Sequence, residues 1–219
     1  NVPPVSDYKE LEVAVPQIYF GELTNDYVVV NTDEQEFDYP MGEELQTTKY
    51  QGTAGIKLNF LNKVLYSIRE GSFKLLVSGG VNSDSKIIIN RNIMDRVNKI
   101  APFLSYDEDP YAVVVNGKIY YIIDGYTTTK YFPYAEPFNE NANYIRNSFK
   151  VIVDAYNGDV DYYIVDEKDP LVETYSKIFP KLFKPMSDMP KEFVSHLRYP
   201  QTMFDIQAKM YGTYHTNQP

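Results

Sequence analysis

Residues 111–126 read YAVVVNGKIYYIIDGY, and this stretch decides the fold. Two runs rich in β-branched and aromatic residues are joined by Asn116-Gly117. Asn-Gly in that position is typical of a two-residue type I′ hairpin, because both central residues need a positive φ. Residues 149–166, FKVIVDAYNGDVDYYIVD, repeat the arrangement around Asn157-Gly158. The two stretches therefore predict two antiparallel hairpins.

Helices are predicted on both sides of the hairpins, where apolar residues recur at a spacing of three and four. Their expected bounds are 58–70, 84–100, 169–183 and 190–212. Gly71 is placed to end the first helix, and Ser83 or Asp84 is placed to cap the second. Within the last range, Pro190 suits the first turn of a helix over 191–197, and another helix over 201–211 has Pro200 at its start.

Two further stretches before the hairpins predict strands. Residues 17–32 read as two short strands around the turn Thr24-Asn25-Asp26, and residues 73–77 read as another strand. Antiparallel hairpins and separate helices together predict an α+β fold, an antiparallel β meander with segregated helices and a helical C-terminal stretch. With 219 residues, we expect a single soluble domain over 1–219, with a helical subdomain over 167–215.

Composition excludes several classes of function. The net charge of −9, from 30 acidic and 21 basic residues, disfavours nucleic acid and anionic lipid as partners, because both require a concentrated basic patch. Without cysteine there is no disulfide, thiolate zinc site or cysteine nucleophile. Two histidines, His196 and His215, make a histidine-based metal site or triad hard to build. No run approaches the roughly 18 apolar residues of a spanning helix.

No cofactor fingerprint is present either. The glycines of Gly52-Thr53-Ala54-Gly55 and Gly79-Gly80 do not form a dinucleotide or P-loop motif, so turns explain them and no cofactor is expected. Ser195 and His196 are adjacent, and adjacent positions on a helix point apart. We therefore interpret His196 as a packing or capping residue and not as a base.

Acidic residues offer the remaining catalytic possibility. Pairs occur at Asp107/Asp109, at Asp154 with Asp159 and Asp161, and at Asp166/Asp169. Two carboxylates about 5–9 Å apart could carry out glycoside hydrolysis, but the sequence does not supply that distance. The acidic stretch Asp33, Glu34, Glu36 and Asp38 is interpreted as a solvated face.

Calcium is the metal that these loops would suit, since it prefers hard oxygen ligands. The candidates are Asp107 and Asp109, on a short acidic loop before Pro110. The twelve-residue EF-hand pattern is absent. Asp109-Pro110 and Asp169-Pro170 are also ordinary turn or capping dipeptides, and we favour that interpretation over a bound ion.

Tyrosine is abundant, with 21 residues, and five of them fall within a short stretch: Tyr120, Tyr121, Tyr126, Tyr131 and Tyr134. An exposed row of rings could bind sugars or an extended peptide. The simpler interpretation is a β meander with one wet face that holds the rings with their hydroxyls in solvent.

Three long phrases carry a resemblance to a known family. They are APFLSYDEDPYAVVVNGKIYYIIDGYTTTKYFPYAEP, NYIRNSFKVIVDAYNGDVDYYIVDEKDP and IFPKLFKPMSDMPKEFVSHLRYPQTMFDIQ. The shorter QIYFGE, DYVVVNT and EFDYP extend it over most of the chain. These phrases resemble the large soluble region of a bacterial membrane protein family of unknown function, uncharacterised protein family 0182.

The resemblance implies a location and no reaction. Members of that family carry several N-terminal transmembrane helices followed by this region, which is expected on the extracytoplasmic side of the cell membrane. The termini, at Asn1 and Pro219, are then edges of a piece of a larger protein, and the missing transmembrane region is an expected partner. We expect a binding or structural role in the envelope, with an envelope component or protein as partner. The alternative is a cell-envelope hydrolase that uses an acidic residue pair.

Overall fold

The hairpin stretch lies in a six-stranded sheet of an α+β fold, which confirms the predicted fold class. The computed structural model describes residues 8, 11–41 and 44–215. Strands in this part of the chain are β1 (Val28–Val30), β2 (Glu36–Met41), β3 (Glu44–Thr48), β4 (Ile56–Lys57), β5 (Lys86–Ile88), β6 (Ser105–Tyr106), β7 (Tyr111–Val115), β8 (Lys118–Thr129), β9 (Tyr144–Asp154), β10 (Val160–Ile164) and β11 (Phe183–Pro185). Helices are α1 (Phe60–Arg69), α2 (Lys74–Val77), α3 (Ile93–Ile100), α4 (Pro170–Ile178), α5 (Lys191–Val194) and α6 (Gln201–His215).

The six-stranded sheet has the order β11-β10-β9-β8-β6, and β7 also pairs with β8. The pairs β8–β9, β9–β10 and β6–β8 are antiparallel, as the hairpins predict. The edge strand β11 pairs parallel to β10, with α4 in the connection between them. The sheet is therefore a meander that ends in one βαβ unit, which the sequence analysis did not predict.

The first hairpin has the predicted turn and the second does not. Asn116 and Gly117 have φ values of 51° and 74°, as a type I′ turn requires. In the second hairpin β9 ends at Asp154 and β10 begins at Val160, so the loop has five residues. Only Gly158 of the Asn157-Gly158 pair has a positive φ, 69°. The hairpin is confirmed, but its predicted two-residue turn is wrong.

The two central strands are buried on both faces. Residues 121–127 of β8 and 148–154 of β9 are all buried, so side chains pointing to either side of the sheet are covered. One face carries a core cluster made of Val113, Val115, Ile122, Ile152, Tyr163, Met189 and Phe193. Because β8 and β9 have no wet face, their residues form near-continuous apolar runs in place of a strict alternation.

Two smaller sheets form from the first part of the chain. One has the order β1-β5-β4 with antiparallel pairs, and the other is the β2–β3 hairpin. Leu58, Leu75 and Ile87 form a small core, against which Tyr66 packs. Helix α1 begins at the Asn59 cap and ends before Gly71, which has a φ of 62°, so the predicted end of this helix is confirmed.

Several predicted elements are wrong. Residues 86–88 are strand β5, and the helix predicted over 84–100 begins only at Ile93. Its N-terminal amides bond to Asn92 Oδ1, so neither Ser83 nor Asp84 is the cap. The strand predicted over 73–77 is a helix from Lys74, and residues 17–32 contain one strand, β1.

The C-terminal helices differ from the prediction in their bounds: α4 and α5 are shorter, and α6 extends to His215. The helix predicted over 169–183 ends at Ile178. The region 190–212 contains two helices, α5 and α6, separated at Pro200, as the sequence predicts. A proline donates no backbone hydrogen bond and disfavours helical conformation in the residue before it, which explains this break.

The chain divides into two compact units. Unit 1 comprises residues 1–96, 116–119 and 155–158, and unit 2 comprises residues 97–115, 120–154 and 159–219. The single domain over 1–219 and the helical subdomain over 167–215 remain predictions. Of the helices in the described ranges, none is long and apolar enough to cross a membrane.

Candidate functional site

A charged pair lies on the core face of the unit 2 sheet. Asp124 on β8 is the direct cross-strand partner of Lys150 on β9, two positions along from the apolar pair Ile122 and Ile152. The Lys150 ammonium contacts Asp124 Oδ1, and both side chains are only 6% exposed. The charged pair therefore lies next to a cross-strand pair of isoleucines on the same face of the sheet.

Hydrogen bonds hold this pair in place. Asn147 donates from Nδ2 to Asp124 Oδ1 at 2.9 Å, and Lys150 Nζ donates to the backbone oxygen of Arg198 at 3.0 Å. A second buried carboxylate, Asp107, accepts from Tyr126 Oη at 2.7 Å and from the Thr202 amide at 3.1 Å. These contacts fix the carboxylates in single orientations.

The charge pair is not explained by stability. Burial raises the pKa of Asp124 above its ordinary value, while the hydrogen bond and charge of Lys150 act in the opposite direction. Desolvating two charges costs several kcal/mol for each ion, and an apolar pair of similar volume is often as stable or more stable. A buried lysine–aspartate pair beside a cleft is therefore a candidate for function.

The cleft beside the pair has a volume of about 550 Å³ and mostly apolar walls. Its lining residues are Asn147, Lys150, Val165, Met186, Leu197, Arg198, Tyr199, Pro200 and Met203. Carboxylates are absent from this lining. A lysine ammonium has three N–H groups, and those of Lys150 have two acceptors in the described chain, Asp124 and Arg198. The third N–H therefore has no acceptor among the described residues.

Aromatic and cationic side chains form the exposed part of the cleft. The guanidinium of Arg198 lies 4.4 Å from the centre of the Tyr111 ring, a cation–π contact. Tyr199 is 61% exposed, and its hydroxyl donates to Gln207 Oε1 at 2.7 Å. Two methionines, Met186 and Met203, add flexible walls that can adjust to different apolar groups.

The predicted calcium candidates lie in different environments. Asp107 is 6% exposed and accepts two hydrogen bonds within unit 2, whereas Asp109 is exposed to solvent. Within the described ranges, no three acidic or histidine residues are grouped as a metal site would require. Calcium binding at Asp107 and Asp109 remains a low-ranked prediction.

The other predicted acidic residues do not line the clefts described in this part of the chain. Asp169 is fully buried, caps α4 by accepting from the Leu171 amide at 3.0 Å, and also accepts from Tyr144 Oη at 2.9 Å. Asp166 pairs with Arg146 at 2.9 Å, and Asp161 pairs with Lys184 at 2.7 Å. These carboxylates therefore serve capping and ion pairs in unit 2.

A second cleft, in unit 1, has carboxylates that the sequence analysis placed on a solvated face. Its volume is about 680 Å³, and Glu36 and Asp38 both line it. Both are partly buried: Glu36 accepts from Tyr19 Oη at 2.9 Å, and Asp38 accepts from Gln17 Nε2 at 2.6 Å. The solvated-face interpretation holds for the exposed Asp33 and Glu34 and is wrong for Glu36 and Asp38.

The tyrosine stretch does not form an exposed row. Tyr121 and Tyr126 are 8% and 1% exposed, so they belong to the core, while Tyr131 and Tyr134 are exposed. The interpretation as a wet face, with hydroxyls in solvent, is therefore also wrong for Tyr121 and Tyr126. Tyr19, Tyr50 and Tyr156 instead form a ring cluster in unit 1, with centroids 4.6–5.3 Å apart.

His196 is exposed, which excludes packing in the core and leaves the capping interpretation as a prediction. Ser195 Oγ donates to the backbone oxygen of Glu192 at 2.8 Å. The Asp124–Lys150 pair was not predicted. A signal was present, since one charged residue interrupts each apolar run, in YYIIDGY and in FKVIV.

Comparison with known proteins gives a family and no activity. The family described as "Uncharacterised protein family (UPF0182)" matches residues 1–219. A UPF0182 protein of Alkaliphilus metalliredigens (strain QYMF) is 57% identical over 220 residues, which cover 100% of this chain and 24% of the relative. UPF0182 proteins of Clostridium botulinum (strain Hall) and Desulfitobacterium hafniense (strain Y51) are 53% and 51% identical and are covered to 24% and 23%. No solved structure matches.

Proposed function

The chain belongs to the uncharacterised protein family UPF0182, and on that premise we propose that it is an extracytoplasmic binding domain of a multi-spanning bacterial membrane protein. The chain spans about a quarter of the length of the relatives it matches. The membrane-spanning helices implied by the family resemblance would lie in the remainder. The domain's role is then to bind an envelope component outside the cell.

The unit 2 cleft is the binding site in this proposal. The single observation that carries it is an apolar cleft lined by Lys150, whose three N–H groups have two acceptors among the described residues. Apolar walls with a few placed polar groups are typical of binding sites, and the lining lacks the carboxylates that hydrolysis would need. The ligand that fits is an apolar peptide segment of an envelope protein, with a carbonyl or carboxylate oxygen on Lys150.

The location is tested by cysteine labelling of the full-length protein. The chain has no cysteine, so Glu140→Cys, at an exposed position, introduces a single reporter within it. Any cysteines elsewhere in the protein are first replaced by serine. A membrane-impermeant maleimide should label Cys at this position in intact cells. Labelling only after lysis would place the domain in the cytosol and contradict the proposal.

The binding site is tested by photocrosslinking in cells. A benzophenone amino acid at Tyr199, which lines the cleft, should crosslink a protein that the same probe at Tyr211 does not. Leu197→Glu places a charge in the cleft and should abolish the crosslink. Val194→Glu, at an exposed position outside the cleft lining, should leave it unchanged. Equal crosslinking at both probe positions would contradict a cleft-specific partner.

A hydrolase is the second candidate, because Glu36 and Asp38 line one cleft in unit 1. Two carboxylates on one sugar-sized cleft are the minimum for glycoside hydrolysis. The test is release of reducing ends from purified cell-wall glycan by the chain, with Glu36→Gln and Asp38→Asn as variants. Activity that both variants abolish would support hydrolysis, and its absence in the unsubstituted chain would exclude glycan as the substrate.

A further inference from the structure

Helix α1 carries an apolar stripe that faces outward. Phe60, Leu61, Leu65 and Ile68 fall within one face at helical spacing, and they are 61–78% exposed. The side chain that this helix buries is Ser67. A helix of a globular domain normally turns its apolar face to the core, so this orientation requires another apolar phase or surface.

The neighbouring helix α2 adds to the exposed apolar area. Phe73 and Val77 are each 80% exposed, while Leu75 is buried in the small unit 1 core. The backbone amide of Ser72 bonds to the Ser67 oxygen at 2.9 Å, so a short hydrogen-bonded turn joins the two helices. We call residues 57–77, which contain both helices, the α1–α2 segment.

The charge of the α1–α2 segment is opposite to that of the chain. The segment contains four basic residues, Lys57, Lys63, Arg69 and Lys74, and one acidic residue, Glu70. Its net charge is therefore +3, whereas that of the whole chain is −9. Of these, Arg69 pairs with Glu70 at 3.3 Å. Lys63 Nζ donates to the Val81 backbone oxygen at 2.8 Å, so Lys57 and Lys74 are the exposed lysines of the segment. An exposed face of Phe and Leu with basic residues beside it is typical of helices that lie in a membrane interface.

We propose that the α1–α2 segment docks on the surface of an anionic lipid bilayer, with the apolar stripe inserted among the headgroups and the basic side chains paired with lipid phosphates. This goes beyond the proposed function, which assigns only the unit 2 cleft. A second copy of the chain is a poorer occupant, because a two-fold contact would place one +3 segment against another. Anionic lipid supplies the complementary charge.

Vesicle sedimentation tests this with the 219-residue chain. The probes are vesicles of equal parts phosphatidylglycerol and phosphatidylcholine, and vesicles of phosphatidylcholine alone. We expect binding to the anionic vesicles that weakens with added salt. Leu65→Asp should weaken binding about tenfold or more, because the leucine that would be buried in the bilayer is lost and a negative charge is added. Lys74→Glu should weaken it about fivefold or more for the change in charge.

Matched substitutions outside the segment serve as controls. Leu23→Asp, at a leucine that is 92% exposed, and Lys191→Glu, at an exposed lysine on α5, should bind as the unsubstituted chain does. Since the substituted side chains at 65 and 74 are exposed, folding should be retained, and circular dichroism checks this. A folded Leu65→Asp variant that binds equally well would overturn the proposal.

Two further outcomes would also overturn it. One is no preference of the unsubstituted chain for anionic vesicles. The other is a dimer that Leu65→Asp dissociates while vesicles remain unbound, which would make a second copy the occupant. Neither outcome bears on the cleft, because residues of the α1–α2 segment do not line it. Failure here is thus distinguishable from failure of the proposed function.

Discussion

Gly158 is a position where a side chain would meet both backbone strain and filled space. Its φ is 69°, and an added Cβ would lie 2.5 Å from ring atoms of Phe20. At Gly117 the φ is 74°, and the nearest atom, the Ala14 Cβ, would be 3.0 Å away. We expect Gly158→Val to lower the free energy of unfolding by about 3 kcal/mol or more, and Gly117→Val by about 1–2 kcal/mol, in urea titrations.

Gly79 is the control for these two substitutions. It has open space around its Cβ position and no positive φ, so Gly79→Ala should change the unfolding free energy by less than about 0.5 kcal/mol. Unchanged stability in both valine variants would show that the two hairpin turns are described wrongly.

Asp169 should determine part of the stability at acid pH. Burial alone would raise its pKa, but hydrogen bonds from Ser148, Thr127, the Leu171 amide and Tyr144 outweigh it and hold the pKa below the ordinary value. The unfolded state then binds the proton more readily. Ionised Asp169 therefore stabilises the folded state above about pH 4, and this contribution to the free energy of unfolding is lost as the pH falls through the folded-state pKa. Asp169→Asn should cost about 2 kcal/mol at pH 7 and flatten the acid limb of stability against pH.

Asp166→Asn is the matched control for Asp169→Asn. The Asp166–Arg146 pair is 32% and 42% exposed, and pairs of that kind contribute about 1 kcal/mol or less. Urea unfolding at pH 3, 5 and 7 compares the two variants. An acid limb that is as steep in Asp169→Asn as in the unsubstituted chain would contradict the assignment.

At the scale of elements, Asn92 determines where α3 begins. Its Oδ1 accepts from the amides of Met94 and Asp95 at 3.0 and 3.1 Å, and its Nδ2 donates to the Glu22 oxygen at 2.7 Å. We expect Asn92→Ala to lower the free energy of unfolding by about 1–2 kcal/mol in urea titrations. Ser83→Ala, at the cap position that the sequence suggested, should have an effect below about 0.5 kcal/mol. A larger loss of unfolding free energy in Ser83→Ala than in Asn92→Ala would contradict this and favour the longer helix predicted over 84–100.

Elements were predictable where local chemistry determines them. Asn116-Gly117 has few alternatives to a tight turn, and Gly71 ends α1 as its position predicts. The stretch 86–88 was misassigned because its isoleucines fit a helical stripe as well as a strand, and pairing with β1 and β4 decides between them. Pairing also decides the structure of β11, which is a strand because it pairs with β10, earlier in the chain. Such pairings are not encoded in local periodicity.

The candidate site was less predictable than the fold. Asp124 and Lys150 are separated by 25 residues, and only the β8–β9 register makes them neighbours. A charged residue inside an apolar run indicates a buried polar group, but it does not identify the partner. The outward face of α1 was equally hidden, because the spacing of Phe60, Leu61 and Leu65 is the same for a core face and an exposed one.

For the whole molecule, we expect calcium to have no effect on stability. Asp107 already accepts hydrogen bonds from Tyr126 and the Thr202 amide, and Asp109 is exposed. The melting temperature should be the same with calcium and with chelator, within about 1 °C. If a site were present, a ligand at about 100 times its dissociation constant would add about 2.7 kcal/mol. A rise of several degrees that Asp109→Asn removes would contradict the expectation.

The most direct test of the binding proposal is methyl NMR of the 219-residue chain labelled at its methionine methyl groups. Met186 and Met203 line the cleft, while Met210 lies on the same helix as Met203 and does not. On titration with acetyl-Leu-Phe-Leu, we expect saturable shifts of the Met186 and Met203 signals and an unchanged Met210 signal. Leu197→Glu should abolish those shifts. Unchanged Met186 and Met203 signals at the highest soluble peptide concentration would contradict the claim that this cleft binds apolar peptide.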